Sequence, residues 1–406
     1  MATHLASKWK LCRGAKDPIP ALDTTNTGAR PKLLLSANTS WNIANFRAGL
    51  VQTMVAHGFE VVAASPVDAH AARLEEIGCR HVPLAMDNKG ANPLRDAALF
   101  LLYLRLMRRE RPDIYLGWTI KPNIYGSLAA RLLGIPIVNN ISGLGTAFLS
   151  DGWLTRVVKP LYRLALRHSS RVFFQNRDDC ELFVSSRLVR PEQGRLLPGS
   201  GIDLDRFAPV PPAPRAAGEG PVFILIARLL WDKGVGEYVE AARRVKAQVP
   251  QARFRLLGFL DVENRTAVPH EVVESWEGEG IVDYLGQTDD VRPHIAAADC
   301  VVLPSYREGT PRSLLEAAAM ARPLIATDVP GCREVVDDEV NGWLCKVRDA
   351  EDLADSMLRF AQVSDERKLE MGRQSRLKAE REFNEHVVIG AYLDAIEHAL
   401  GGRTVP

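Results

Sequence analysis

The chain has 406 residues, of which 46% are hydrophobic and 25% charged, as is typical of a soluble globular protein with two domains. No stretch approaches the ~18 uninterrupted apolar residues of a membrane span, and residues 1–30 lack the apolar region of a secretory signal. The formal net charge of +1 combines +9 over residues 1–205 (26 Lys and Arg, 17 Asp and Glu) with −8 over residues 206–406 (25 against 33). The excess of positive charge in the first half either faces an anionic surface, such as a membrane or a lipid diphosphate, or is distributed evenly over the surface of the domain.

Apolar runs alternate with helical patterns, which predicts an α/β fold with doubly wound parallel sheets. In the first half the predicted strands are residues 32–38, 60–65, 80–85, 113–118, 135–141 and 171–176. A proline-rich stretch then predicts a stiff boundary. We expect a flexible tail at 1–30, a first Rossmann-like domain at 31–208, a linker at 209–220, a second Rossmann-like domain at 221–378, and a C-terminal helical segment at 379–406.

Polar residues and glycines follow the predicted strands of the first half, where ligands bind in open parallel sheets. Asparagines in a loop before a helix at about 43–57 can donate hydrogen bonds, and glycines permit close backbone approach. A lysine in such a loop contacts either a phosphate or sugar oxygen, or only solvent. No GxGxxG follows the first strand, which argues against an ordinary dinucleotide fold. The candidates for this cleft are Asn42, Asn45, Lys121, Gly143 and Gly145.

Residues 94–112 join a broad apolar surface to four arginines at the C-terminal end. The pattern fits a helix at a membrane interface, or an ordinary buried helix whose last turn carries cations that suit its dipole. We favour burial for the apolar residues and a membrane contact for the arginine end.

The second half places two cations, Arg228 and Lys233, directly after the predicted strand PVFILIAR. Positive charge at a strand end suits a leaving diphosphate, because negative charge grows on the bridging oxygen as the bond to that oxygen breaks. The alternative is a solvated turn whose charges are incidental. Further strands are predicted at 253–258 and 282–287, and amphipathic helices at 351–361 and about 380–399.

Residues 300–316, CVVLPSYREGTPRSLLE, read as a buried strand, a loop and a helix. Thr310 is expected to cap a helix that begins at Pro311, whose N-terminal N–H groups then form an anion site for phosphate. Glu308 lies in the loop and Glu316 inside the helix, roughly 7–8 Å along its axis. The two carboxylates are placed to hold different hydroxyl-bearing parts of one extended ligand.

The segment PSYREGTPRSLLEAAAMARPLIATDVPG, with ARLLWDKG (227–234) and VVDDEVNGWLCKVRDAEDLA (335–354), resembles the signature of retaining GT-B glycosyltransferases of family 4. The resemblance implies two Rossmann-like domains facing each other across a cleft, an acceptor-binding one followed by a nucleotide-sugar-binding one, with a C-terminal helix crossing back to the first. It implies that Glu316 holds the ribose, Glu308 the transferred sugar, and Arg228 and Lys233 the donor diphosphate. The remaining donor-site candidates by this resemblance are Gly309, Thr310, Pro311, Arg312 and Ser313 near the phosphates and sugar, and Gly258 and Leu285 near the base.

The Lys-Pro-Asn and Gly-Leu-Gly segments resemble a branch that transfers N-acetylated sugars to undecaprenyl-diphosphate-linked acceptors. The resemblance therefore implies a UDP-sugar co-substrate, a polyprenyl-diphosphate-linked sugar acceptor, and peripheral attachment to the inner face of the cytoplasmic membrane. No nucleic-acid partner is expected. Neither an Asp-x-Asp motif nor a histidine cluster offers a metal site, and six cysteines without a CxxC pair predict reduced, structural thiols in a cytoplasmic protein.

Two rival functions remain open from the sequence. One is a UDP-N-acetylglucosamine 2-epimerase-like isomerase on the same scaffold, although its usual histidine and acid constellation is not visible. The other is a non-catalytic subunit that binds nucleotide sugars. The presence of both glutamates (Glu308 and Glu316) and both cations (Arg228 and Lys233) argues against this second function.

Overall fold

The computed structural model describes residues 30–87, 92–144, 153–211, 218–260, 264 and 266–401, without the side chains of 153–157. The chain divides into two compact units. The first is formed by Met1–Ser200 with Glu385–Pro406, and the second by Gly201–Asn384.

The first unit is built on a parallel sheet whose central strands are almost wholly buried, as their apolar composition requires, whereas the edge strands are partly exposed. Among the described residues its strands are β1 (Lys32–Ser36), β2 (Glu60–Ser65), β3 (Arg80–Pro83), β4 (Ile114–Trp118), β5 (Ile137–Ile141), β6 (Arg171–Phe174) and β7 (Gly194–Leu196). They are ordered β3-β2-β1-β4-β5-β6-β7, so the strand order reverses beside β1, as in a doubly wound fold. The short strand β7 was not predicted from the sequence.

Helices connect these strands. They are α1 (Ser40–Phe46), α2 (Ala48–Ala56), α3 (Ala71–Glu76), α4 (Pro93–Glu110), α5 (Ser127–Leu132), preceded by a π-helical turn at Pro122–Gly126, α6 (Trp153–Leu166) and α7 (Arg177–Ser185). The single helix predicted at about 43–57 is wrong in one respect. Arg47, with φ −133° and ψ 5°, separates α1 from α2. Thr39 starts α1 by accepting a hydrogen bond from the Asn42 N–H, so Asn42 and Asn45 lie in a helix rather than in the predicted loop.

Helix α4 buries one face and exposes another. Leu99, Tyr103, Leu106 and Met107 pack into the core, as the sequence predicted for its apolar residues. Leu94 and Leu101 contradict that prediction, because they are 83% and 50% exposed. The helix was therefore assigned correctly in extent, but its apolar surface is wider than the core requires.

The second unit repeats the parallel arrangement. Its described strands are β8 (Val222–Ile226), β9 (Arg253–Leu257), β10 (Asp283–Tyr284), β11 (Cys300–Leu303), β12 (Leu324–Thr327) and β13 (Gly342–Cys345), ordered β10-β9-β8-β11-β12-β13. Its described helices are α8 (Val235–Gln248), α9 (His270–Gly278), α10 (Arg292–Ala296), α11 (Arg312–Ala319), α12 (Ala350–Gln362) and α13 (Asp365–Lys378), with a π-helical turn at Ala379–Phe383. Two apolar cores flank the sheet, one on each face.

The last helix, α14 (Glu385–Ala399), belongs to the first unit, which confirms that the C-terminal helix returns there. Val388, Ile389 and Ile396 pack in the core beneath β1 and β4. The Tyr392 hydroxyl accepts hydrogen bonds of 2.8 Å from the Trp118 Nε1 and the Asn140 Nδ2. The first unit therefore contains the two ends of the described chain.

The chain passes between the units at two points that differ from the boundaries read from the sequence. The sequence placed the first boundary after residue 208. In the structure it lies after Ser200, because Ile202 and Phe207 are buried in a core of the second unit. The second lies after Asn384 rather than residue 378, since Ala379 and Phe383 pack in that same core. The Ile202 N–H donates to the Phe383 carbonyl at 2.8 Å, so the two passages lie side by side within the second unit.

Candidate active site

The donor-site candidates of the second unit all follow the carboxyl ends of its parallel strands. Arg228 follows β8, Gly258 follows β9, Leu285 follows β10 and Glu308 follows β11. These ends share one edge of the sheet, which is where open α/β sheets bind ligands.

At this edge Lys233 and Glu308, separated by 75 positions in sequence, form an ion pair from Lys233 Nζ to Glu308 Oε1. Backbone contacts between their loops create it, because the Tyr306 N–H donates to the Asp232 carbonyl at 2.9 Å. Gly234 permits the approach: its φ is +73°, and a Cβ there would lie 2.1 Å from the Pro304 carbonyl oxygen. Both charged side chains are largely shielded from solvent, with 19% and 13% exposure.

The loop that carries Glu308 is supported from behind by the turn after β12. The Glu308 N–H donates to the Pro330 carbonyl at 3.1 Å. Gly331 has φ +89°, and a Cβ there would lie 2.4 Å from the Gly309 carbonyl oxygen and 2.7 Å from that of Glu308. Sequence reasoning missed Gly331, although a Val-Pro-Gly triplet directly after an apolar run is a signal for such a turn.

Helix α11 begins one residue later than predicted. Pro311, with φ −71° and ψ 120°, occupies the N-cap position, and no side chain caps the helix, so the prediction that Thr310 caps it is wrong. The Leu315 N–H makes a hydrogen bond of 3.2 Å to the Pro311 carbonyl. The N–H groups of Ser313 and Leu314 therefore have no acceptor inside the helix, whereas Pro311 has no N–H to offer.

Inside this helix Arg312 and Glu316 form an ion pair one turn apart, with Arg312 Nε 3.0 Å from Glu316 Oε1. The sequence left open whether Arg312 touches a ligand or faces solvent. The structure instead shows its side chain 20% exposed and turned onto Glu316, which is 13% exposed. Burial raises the pKa of the Glu316 carboxyl above its usual value, and the neighbouring Arg312 guanidinium opposes that rise.

Arg228 and Gly258 lie against each other on neighbouring loops. Gly258 has φ +151°, and a Cβ there would lie 1.7 Å from the Ala227 carbonyl oxygen, so only glycine allows these loops to approach. The Gly258 N–H donates to the Gly286 carbonyl at 2.9 Å, and this connects the loop to the one that carries Leu285. Arg228 is exposed, and its side chain makes no ion pair or hydrogen bond within the described part of the chain.

The acceptor candidates of the first unit follow β1, β4 and β5. The side-chain amide of Asn45 makes hydrogen bonds within the first unit: Nδ2 donates to the Trp41 carbonyl at 3.1 Å, and Oδ1 accepts from Arg73 at 3.2 Å. Lys121 pairs with Asp96 at 2.7 Å. The buried Oδ1 of Asn42 has no hydrogen-bond partner in the regions described. Gly143 has φ +128°, whereas Gly145 lies outside the described residues.

The remaining polar chemistry within the described ranges is sparse. The five cysteines of those ranges are free and buried, and burial raises the pKa of Cys79, Cys180 and Cys345 to about 12. No group of three or more His, Cys, Asp and Glu side chains there is arranged to hold a metal ion. None of the described helices is both long and apolar enough to cross a bilayer.

Comparison with known families gives two matches along the chain. Residues 43–200 match the family model "Glycosyl transferase 4-like domain". Residues 220–362, which contain Arg228, Lys233, Glu308 and Glu316, match the model "Glycosyl transferases group 1".

Two curated relatives extend over most of the chain. One is an N,N'-diacetylbacillosaminyl-diphospho-undecaprenol alpha-1,3-N-acetylgalactosaminyltransferase from Campylobacter jejuni, 26% identical over 374 residues, which cover 88% of this chain and 96% of the relative. The other is a UDP-Gal:alpha-D-GlcNAc-diphosphoundecaprenol alpha-1,3-galactosyltransferase from Escherichia coli, 26% identical over 323 residues, or 75% and 78% of the two chains.

Solved structures share the fold. Anabaena HepE in complex with UDP and glucose superimposes with a TM-score of 0.73 at 17% identity, covering 91% of this chain and 100% of that one. A sucrose-phosphate synthase from Thermosynechococcus elongatus gives 0.74 at 18% identity, with the same coverage. With two parallel-sheet units, a returning C-terminal helix and both family domains in order, the chain belongs to the GT-B glycosyltransferases, and it is a transferase enzyme.

Proposed function

We propose that this glycosyltransferase moves an N-acetylhexosamine from a UDP-sugar to an undecaprenyl-diphosphate-linked saccharide, with retention of anomeric configuration. The acceptor class is supported by both curated relatives, whose names specify undecaprenyl-diphosphate-linked sugars. The N-acetylhexosamine is supported by the Campylobacter relative, an N-acetylgalactosaminyltransferase, and UDP by the donor named for the Escherichia coli relative. Such a product belongs to the assembly of a bacterial surface polysaccharide, lipopolysaccharide or glycoprotein glycan.

The observation that carries this proposal is the meeting of Lys233 and Glu308 at the edge where α11 begins. One loop offers a cation for the diphosphate, the other a carboxylate for the hydroxyls of the transferred sugar. Ser313 and Leu314 direct N–H groups to the same helix end, where the dipole favours phosphate. One turn further along the helix, Glu316 is suited to accept hydrogen bonds from ribose hydroxyls.

In the proposed reaction the bond between the anomeric carbon and the diphosphate oxygen breaks as the acceptor oxygen bonds to that carbon on the same face. The acceptor proton passes to the departing diphosphate, so no protein base is required. Arg228 and Lys233 stabilise the negative charge that develops on the leaving group. Because these two cations supply the positive charge that a metal ion would otherwise provide, we propose that the reaction needs no metal ion.

We also propose that the protein works at the cytoplasmic face of the inner membrane as a peripheral protein. The exposed stripe of α4 supports this, because Leu94, Ala98 and Leu101 precede Arg105 and Arg108 on the same outward side. An apolar stripe that ends in cations suits the boundary between lipid tails and anionic head groups.

The test is UDP release from a panel of UDP-sugars, with and without a bacterial extract of lipid-diphosphate-linked sugars, comparing wild type with Glu308→Gln. Release that requires one N-acetylhexosamine donor and the lipid, and that collapses in the variant, would support the proposal. Conversion of the donor without lipid, or release with UDP-sugars other than N-acetylhexosamines, would contradict it. An α-linked product, identified from its anomeric coupling constant, would establish retention.

A further inference from the structure

Arg312 occupies an unusual position for a cation. It is the first residue of α11, where the positive end of the helix dipole disfavours a guanidinium. It also precedes Glu316 by four residues, and a cation before an anion is the less favourable order for such a pair on a helix. Helix stability alone therefore does not account for the residue.

Its guanidinium is fixed from two sides. Nε donates to Glu316 Oε1 at 3.0 Å, and Nη1 donates to the Gly201 carbonyl at 2.9 Å. The group also lies over the Phe207 ring, 6.0 Å from its centroid. Because Gly201 and Phe207 belong to the segment that opens the second unit, Arg312 joins that segment to the carboxylate in α11.

The charged groups around Glu316 affect its ionisation in opposite directions. Arg312 pairs with it directly, Arg206 favours its ionised form from a greater distance, and Asp290 opposes that form. Asp290 is itself held by Arg292, whose Nη2 lies 2.7 Å from its Oδ2. Within the described part of the chain, Glu316 Oε2 accepts no hydrogen bond, so the pair with Arg312 leaves that oxygen for another donor.

We propose that Arg312 is a positioning residue, which acts through Glu316 by fixing one carboxylate oxygen, keeping the carboxylate ionised and leaving Oε2 to bind a nucleoside hydroxyl. The inference rests on the proposed function, because it assigns that hydroxyl to the ribose of a UDP donor. Arg312 itself touches neither sugar nor phosphate in this proposal.

A double-mutant cycle on UDP affinity tests the proposal, with the dissociation constant measured calorimetrically for the full-length protein. Arg312→Gln is expected to weaken UDP binding about tenfold or more, the worth of a hydrogen bond to a charged group. Arg312→Lys, which keeps the charge but loses the planar fork, is expected to lose less. The Arg312→Gln/Glu316→Gln double variant should bind UDP no more weakly than Glu316→Gln alone, since both changes break one arrangement.

The pH dependence gives a second measurement. Without Arg312 the pKa of Glu316 rises further, so the loss of UDP affinity on acidification should begin at a higher pH in Arg312→Gln than in wild type. Arg253→Gln is the matched control: this exposed arginine begins β9 at the opposite edge of the sheet, and we expect the UDP affinity of this variant to stay within about twofold of wild type.

Several outcomes are decisive. Independent effects that multiply in the double variant, or an Arg312→Gln protein that binds UDP as wild type does, would overturn the positioning role while leaving the UDP donor in place. A wild-type protein that does not bind UDP would instead overturn the proposed donor, and this inference with it. Circular dichroism and thermal melting check each fold, and if Arg312→Gln does not fold, Arg312→Lys replaces it in the cycle.

Discussion

Lys233 and Glu308 neutralise each other, because Lys233 Nζ forms an ion pair with Glu308 Oε1. In the proposed reaction these groups serve different parts of the donor, the diphosphate and the transferred sugar. The donor must therefore exchange this ion pair for two contacts of its own. A ligand that lacks the sugar, such as UDP, competes for Lys233 without satisfying Glu308.

Glu308→Gln should separate binding from turnover. We expect turnover to fall by about 100-fold or more, the effect of losing one group that stabilises the transition state. UDP affinity should stay equal or increase, because Lys233 is no longer held by a carboxylate. Calorimetry with UDP and a steady-state assay measure the two quantities. A variant that loses both UDP affinity and turnover would show that Glu308 is needed to build the site rather than to bind the sugar.

Arg228→Ala should lower turnover by about 100-fold or more with the fold intact, since a developing negative charge would lose a cation. Arg228 is exposed and makes no side-chain bond within the described regions, so its removal should not change the melting temperature. Arg253→Ala is the matched control, because this exposed arginine begins β9 at the opposite edge of the sheet. Near-normal turnover of the Arg228 variant would exclude the assigned role.

Gly331→Ala should displace the loop that carries Glu308, because a Cβ would lie 2.4 Å from the Gly309 carbonyl oxygen. A shift of about 1 Å in a catalytic group costs on the order of 100-fold in rate. Gly280→Ala provides the control, since Gly280 also has a positive φ of 68° but has nothing within 4 Å of the added Cβ. Both variants carry a similar backbone strain of about 1–2 kcal/mol, so similar turnover numbers for the two would contradict the steric argument.

Glu316→Gln should raise the melting temperature at neutral pH while weakening UDP binding. A carboxyl whose pKa is raised in the folded state binds its proton more tightly there than in the unfolded chain. Its ionisation therefore costs stability as pH rises through the raised pKa, and the amide carries no such cost. Melting curves from neutral pH to below the ordinary value of 4.5 should show the difference shrinking. A variant less stable than wild type at neutral pH would contradict this prediction.

Charge and apolar area on α4 should both contribute to membrane binding. We expect Leu94→Ser/Leu101→Ser and Arg105→Glu/Arg108→Glu each to reduce sedimentation with vesicles that contain anionic lipid, and high salt to weaken only the charge contribution. Arg244→Glu, on an exposed position of α8, serves as the control. Equal sedimentation of all variants would place any membrane contact on another surface.

The sequence predicted most of the sheets because parallel strands buried on both faces appear as continuous apolar runs. Strand β2 coincides with its predicted range, 60–65, whereas β7, with only three residues, leaves no comparable run. The helix at about 380–399 was predicted from its amphipathic pattern, whereas its return to the first unit was predicted from the family resemblance alone. The boundaries after Ser200 and Asn384 were not readable, since they depend on which core buries Ile202 and Phe383.

The sequence indicated where the candidate residues lie relative to strands and helices, but not how their side chains pair. The spacing of Glu308 and Glu316 indicated two ligand-binding carboxylates, yet nothing local revealed that one pairs with Lys233 from a distant loop. The start of α11 was misplaced by one residue because Thr-Pro fits either of two cap positions. Arg312 and Glu316 are four residues apart, so they are neighbours on the helix with either start, and only the structure shows that they form an ion pair.

The return of α14 has a consequence for synthesis. The hydroxyl of Tyr392 is bonded to Trp118 and Asn140, and the helix fills a core that contains β1, the first described strand. On the ribosome, the unit translated first must therefore keep part of its apolar surface uncovered until almost the whole chain has emerged. The second unit, contiguous from Gly201 to Asn384, can finish folding earlier, so domain maturation runs against the direction of translation.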